Sequence, residues 1–127
     1  MSKTTLWTGR ILSLLPALLL LFSASMKFAQ PKEAMEGFAH LGWPIHLAIP
    51  LGIVESACTI LYLVPRTSVL GAVLLTGYLG GAVAAHVRLD ERDFFTPAAV
   101  GVVVWLGLYL RDPRLRALLP LRSSPRP

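Results

Sequence analysis

Lys27, Glu55, Tyr78 and His86 are the side chains in this 127-residue sequence that could hold a ligand or move a proton inside apolar surroundings. Glu55 is the sharpest of them: it is the only Asp, Glu, Lys or Arg in residues 45–64. A carboxyl group in hydrocarbon is costly, so it turns toward other helices or a cavity and often marks function. With an ammonium, a phenol and an imidazole near it, Glu55 could bind a polar headgroup or relay a proton. The competing reading is structural: a buried ion pair or hydrogen-bonded carboxyl that only fixes helix register.

Other chemistries find little support. The sequence shows no nucleophile motif, phosphate loop or dinucleotide fingerprint, and no H-x-x-x-H spacing. His40 and His46 read as loop or interfacial residues. A haem between His46 and His86, or a metal on His86 and Glu55, would lack a compact ligand set, so no metal is expected. Cys58 is the single cysteine, which excludes an intrachain disulfide and C-x-x-C redox chemistry.

The elements that must position these residues follow from hydropathy. Charged residues make up 15% of the chain, against about 25% in ordinary soluble domains. They are absent from residues 11–26, 67–87 and 94–110, and Glu55 alone interrupts 45–64. Apolar stretches of about 17–25 residues cross a bilayer as helices. The expected architecture is therefore an all-α membrane protein, a four-transmembrane-helix bundle with spans at about 6–29, 44–64, 67–88 and 94–110. It fills residues 1–112 as one domain, and 113–127 read as a basic, Pro-rich cytoplasmic tail. A short interfacial helix is expected around 33–41, with Phe38 and Trp43 at the membrane–water interface. Pro31 ends the first span, Pro16 is expected to kink it, and Pro50 removes a helical donor within the second.

The net charge of +5 does not indicate nucleic acid, because the basic residues flank the apolar spans. Lys3, Arg10, Arg66, Arg111, Arg114, Arg116, Arg122 and Arg126 fall at one end of a four-pass arrangement; Lys27, Lys32, Arg88 and Arg92 fall at the other. That bias places both termini in the cytoplasm, with the basic tail near anionic lipid headgroups. A cleavable signal ending at Ser23-Ala24-Ser25 is the competing reading of the first span. Its apolar run is long for a signal, and its loss would leave three spans.

Small residues recur at helical spacing: Ser13, Ala17 and Ala24; Ala48, Gly52, Ser56 and Thr59; Gly77, Gly81, Ala84 and Ala85; Ala98 and Gly101. Small residues permit close helix approach in lipid, so Gly52, Gly77, Gly81 and Gly101 are expected to pack helices. Gly77 and Gly81 could alternatively face a second copy in a homo-oligomer. Side chains lean toward their own helix N-terminus. Lys27 and His86 therefore lean back into the membrane, while Glu55 leans toward them. At 1.5 Å per residue Glu55 lies roughly 13–16 Å from the near end of its helix, a gap that two long side chains largely close. Tyr78, at similar depth, could hydrogen-bond Glu55.

Five strings carry a family resemblance: FSASMKF at 22–28, LGIVES at 51–56, YLVPRTS at 62–68, GAVLLTGYLGGAVAAHVR at 71–88 and WLGLYLRDPRLR at 105–116. Together they resemble the DoxX-like family of small four-helix bacterial membrane proteins. The resemblance implies a multi-pass protein of the bacterial inner membrane, and its lysine, glutamate and histidine fall on Lys27, Glu55 and His86. Some relatives are associated with thiosulfate:quinone oxidoreductase or thiol-stress membrane complexes.

Two functions follow as expectations. The first is a non-enzymatic membrane component that binds a small hydrophobic ligand, lipid or partner protein through an outward-facing polar pocket. The second is a membrane subunit of a quinone-linked oxidoreductase, with a redox-protein partner, a quinone cofactor, and Glu55 and Tyr78 at the quinone site. A proton-coupled transporter is less well supported, since four spans show no internal repeat.

Overall fold

The structure, a computed structural model, describes residues 2–123; Arg126 and the end of the basic tail lie outside the described residues. It contains α1 (Lys3–Ala29), α2 (Lys32–His40), α3 (Ala48–Leu63), α4 (Ser68–Arg88), α5 (Phe95–Arg111) and α6 (Pro113–Arg116). Single 3-10 turns at Ile45–Leu47, Pro65–Thr67 and Arg92–Phe94 lead into α3, α4 and α5. With those turns included, α1, α3, α4 and α5 are each long and apolar enough to cross a membrane.

Proline and polar groups set the boundaries. Ser2 caps α1 by accepting from the Thr5 amide. At the other end Gln30 turns left-handed, its N–H still bonded to Met26, and Pro31 follows. The 3-10 turn before α3 shifts the α-helical start to Ala48, which leaves Pro50 in the first turn. A missing N–H does little harm there, because first-turn amides lack helical partners anyway. Pro50 thus belongs to a helix start and not to the helix interior. Pro97 holds the same position in α5.

The four long helices form a ring in which α1 packs on α3 and α5, and α4 packs on α3 and α5. The sorting of side chains suits a lipid solvent. Ala17, Ala24, Ala48 and Ala72 are buried, while Leu15, Leu18, Phe22, Ile53, Ile60, Val73 and Val102 are exposed. Buried hydroxyls are satisfied by carbonyls four residues earlier: Ser13 donates to Gly9, Thr59 to Glu55 and Ser68 to Val64. Such local pairing is what hydrocarbon surroundings require.

The first turns of α1 and the end of α5 meet at one end of the bundle, called proximal below, and the helices come closest there. A Cβ on Gly9 would fall 2.7 Å from the Arg111 amide nitrogen, and one on Gly71 would fall 2.2 Å from the Tyr62 nitrogen. Glycine alone fits both places. The first locks α1 to α5, and the second closes the α3–α4 hairpin. Tyr62 ties the region together, its hydroxyl donating to the Val104 carbonyl at 2.6 Å and lying 3.1 Å from Ser13 Oγ. The packed region reaches beyond residue 112: α6 seats Leu115 in the core at 5% exposure, so the tail is not solvated from its first residue.

Replacing Gly71 by alanine should destabilise the protein by about 1–3 kcal/mol through overpacking against backbone. The same change at Gly77, where a Cβ meets nothing within 4 Å, should stay within about 0.5 kcal/mol. Unfolding of the two purified variants in SDS titrations checks the contrast; equal loss would contradict the close approach.

Candidate functional site

Lys27 occupies the last turn of α1, where the helix dipole favours a cation. Its side chain leans back along α1, and its Nζ donates to Ser23 Oγ and to Glu55 Oε1, each at 3.0 Å. The exposures of the two side chains are 16% for Lys27 and 2% for Glu55. The pair is thus shielded from solvent, where charges interact more strongly than in water. Glu55 comes from the middle of α3, on the face that also buries Ala48, Gly52 and Thr59. Gly52 lets this happen. A Cβ there would fall 3.2 Å from Lys27 Cβ and from the Phe28 ring, so its absence brings α3 close enough for the pair to form.

The pair does not exhaust its own bonding capacity. A lysine ammonium has three protons and a carboxylate has two oxygens. Among the described residues Lys27 Nζ bonds to Ser23 Oγ and Glu55 Oε1, which leaves one ammonium proton without a protein partner, and the carboxylate keeps lone pairs beyond those that face Lys27 and Tyr78. Both residues line a cavity of about 760 Å³, within the usual size range for small-molecule sites. Leu19, Leu20, Leu51 and Leu79 supply its apolar walls. From Glu55 it runs toward the distal loops, reaching Leu41, Trp43 and Asp93.

Tyr78 and His86, both from α4, line the same cavity. The Lys27 ammonium lies 5.9 Å from the Tyr78 ring centroid, at the outer limit of a cation–π contact. The Tyr78 hydroxyl approaches Glu55 closely enough to interact with its carboxylate as a charge and as a hydrogen-bonding partner. Ser23 adds a further polar contact to the pair through Lys27. His86 Nδ1 lies 2.8 Å from the Ala82 carbonyl. With its proton donated there, a neutral His86 keeps Nε2 as an acceptor. The four candidate residues therefore border one space, with Lys27 and Glu55 joined as an ion pair.

Two small-residue expectations need correction. Gly77 and Gly81 do not pack helices within this chain, since a Cβ on either would meet nothing within 4 Å. They line the cavity, where the missing side chains leave room. Gly101 makes only ordinary contact, 3.7 Å from Leu79 Cδ1 to an added Cβ. Phe38 packs against the protein itself. It is buried, stacks on Trp43 with centroids 6.3 Å apart, and lines the distal cavity with it. The segment carrying both is tied to the α4–α5 loop by a His40–Glu91 contact and by Arg88 donating to the Leu41 carbonyl.

Ser23 was hidden in the sequence because its small size fitted a cleavage-site reading. The available signal was its spacing, four residues before Lys27 on one helix face. No group of three metal-ligating side chains that could hold an ion occurs among the described residues.

Comparison with known proteins gives one finding. The model of the DoxX-like family matches residues 11–107, which include Lys27, Glu55, Tyr78 and His86. Nothing matches among curated proteins or among solved structures.

Removing one partner of a buried pair strands a charge, which costs about 3–5 kcal/mol. Lys27→Met should therefore destabilise the protein strongly. The double variant Lys27→Met/Glu55→Leu should recover most of that loss, because an apolar pair of similar volume can replace a buried ion pair. A double-mutant cycle read by SDS unfolding checks this; purely additive losses would contradict the pairing.

Proposed function

The chain belongs to the DoxX-like family, and on that premise we propose that it is a non-enzymatic membrane component that binds a small amphipathic ligand in the Lys27–Glu55 cavity. The observation behind this reading is the unspent bonding capacity of a buried ion pair at one end of an apolar-walled space. An apolar body would lie against the leucine walls. A polar head with both a donor and an acceptor would meet the Glu55 carboxylate and the remaining Lys27 proton. Tyr78 and His86 Nε2 would offer further contacts. A lipid or a segment of a partner protein would meet the same requirements.

The charge bias between the two ends of the bundle supports an orientation with both termini in the cytoplasm of a bacterium. The cavity would then face the outer side of the inner membrane.

A redox reading uses the same cavity. A quinone headgroup held by Tyr78 and Glu55 would take two electrons from a partner protein and two protons relayed through the Glu55 carboxyl, leaving as the quinol. The two-carbonyl ring and apolar tail of a quinone fit a polar site with leucine walls.

The test is ligand recovery. Protein purified in mild detergent is extracted and the extract is analysed by mass spectrometry, for the native chain and for Glu55→Gln and Glu55→Ala. An amphipathic compound should accompany the native chain and fall at least about tenfold in both variants, the scale of one charge-assisted hydrogen bond. Equal recovery from all three would overturn the proposal. A recovered quinone, with Glu55-dependent reduction, would select the redox reading; a recovered compound that is not a quinone would remove it.

A further inference from the structure

We propose that the proximal end of the bundle carries a second site, a phosphate-recognising pocket that takes the headgroup of an anionic phospholipid. A separate cavity of about 590 Å³ lies there. Its charged lining comprises Arg10 from two turns into α1, Arg111 from the end of α5, Asp112 and Arg114. Three guanidinium groups thus face one carboxylate, and that carboxylate is already engaged. Asp112 accepts the Arg114 backbone N–H at 3.0 Å and lies 3.5 Å from Arg114 Nε. Arg10 and Arg111 have no carboxylate partner among the described residues.

The protein only partly satisfies these two arginines. Arg10 stacks its guanidinium 4.9 Å from the Trp7 ring centroid. Arg111 donates once, to the Tyr62 carbonyl at 2.6 Å, and lies 4.7 Å from the Tyr62 ring centroid. Its Nε is buried without a hydrogen-bond partner. A guanidinium has five N–H donors in a fixed fork that matches phosphate oxygens. Fixing the planar groups on aromatic faces reduces the ordering needed when an anion arrives.

Position selects the source of the phosphate. Arg111 ends α5, Arg114 lies in α6, and Arg10, two turns into α1, follows Gly9, which packs on the Arg111 backbone; that is the headgroup end of a spanning bundle, where basic pockets between helices suit anionic headgroups. Leu14 and Leu63 complete the wall, and Leu14 is 49% exposed on the bilayer-facing side of α1. An acyl chain can follow that wall outward; a free phosphate ion has no use for it. This site shares no lining residue with the Glu55 cavity.

The experiment titrates the full-length detergent-solubilised protein with phosphatidylglycerol, phosphatidylcholine or inorganic phosphate, with occupancy read by native mass spectrometry. Phosphatidylglycerol should bind at least about tenfold more tightly than phosphatidylcholine, and Arg10→Gln should remove about tenfold of that affinity. Arg10 is exposed, so the variant should keep the native unfolding profile. Arg66→Gln, at the same end but outside the cavity, should bind like the native chain. Equal affinity for the two lipids, equal loss in both variants, or inorganic phosphate competing at matched concentration would each overturn the proposal.

Discussion

The fold of this protein is organised around a carboxylate and an ammonium that meet at 3.0 Å inside a hydrocarbon-solvated bundle. Neither charge could lie buried alone without a cost of several kcal/mol. The pair therefore constrains much of the distal half. α1 must end soon enough to place Lys27 beside α3. α3 must present Glu55 and Gly52 to α1 together, and Ser23 must lie one turn before Lys27. A slip of one residue in α3 would rotate Glu55 about 100° around the helix and turn it away from its partner.

The two halves of the bundle solve different problems. The proximal half is closed by backbone contact at Gly9 and Gly71 and by Tyr62, which reaches α1 and α5 through one hydroxyl. In the distal half α1 and α3 still meet at Gly52, but α4 leaves an open space, since glycines 77 and 81 face the cavity instead of a helix. Phe38 and Trp43 partly cover that space from the loop side.

Much of this was legible in the sequence. The four spans follow from charge-free runs long enough to cross a bilayer. The meeting of Lys27 and Glu55 follows from the opposite lean of side chains on antiparallel helices, which closes a gap that residue depth alone leaves open. The burial of Ala48, Gly52 and Thr59 follows from sharing a helix face with Glu55. Glycine spacing was less informative. A Gly-x-x-x-Gly pair says that a backbone could approach, and bare backbone serves equally well to enlarge a cavity, as at Gly77 and Gly81. Gly9 and Gly71 lie outside any such pattern, and their contacts depend on which helices become neighbours. Pro50 was misplaced because a 3-10 turn moved the helix start. Leu115 lay beyond a proline and among arginines, where composition suggests solvent and only tertiary packing shows burial.

The central claim is that Glu55 faces Lys27 inside the bundle and not the acyl chains. Solid-state NMR on the protein in lipid bilayers can measure it through the dipolar coupling between labelled Lys27 Nζ and the Glu55 side-chain carboxyl carbon. Strong dephasing, in keeping with an N–O contact of 3.0 Å, is the result this account predicts. A carboxyl carbon with no measurable coupling to that nitrogen, and with contacts to lipid methylenes instead, would contradict it.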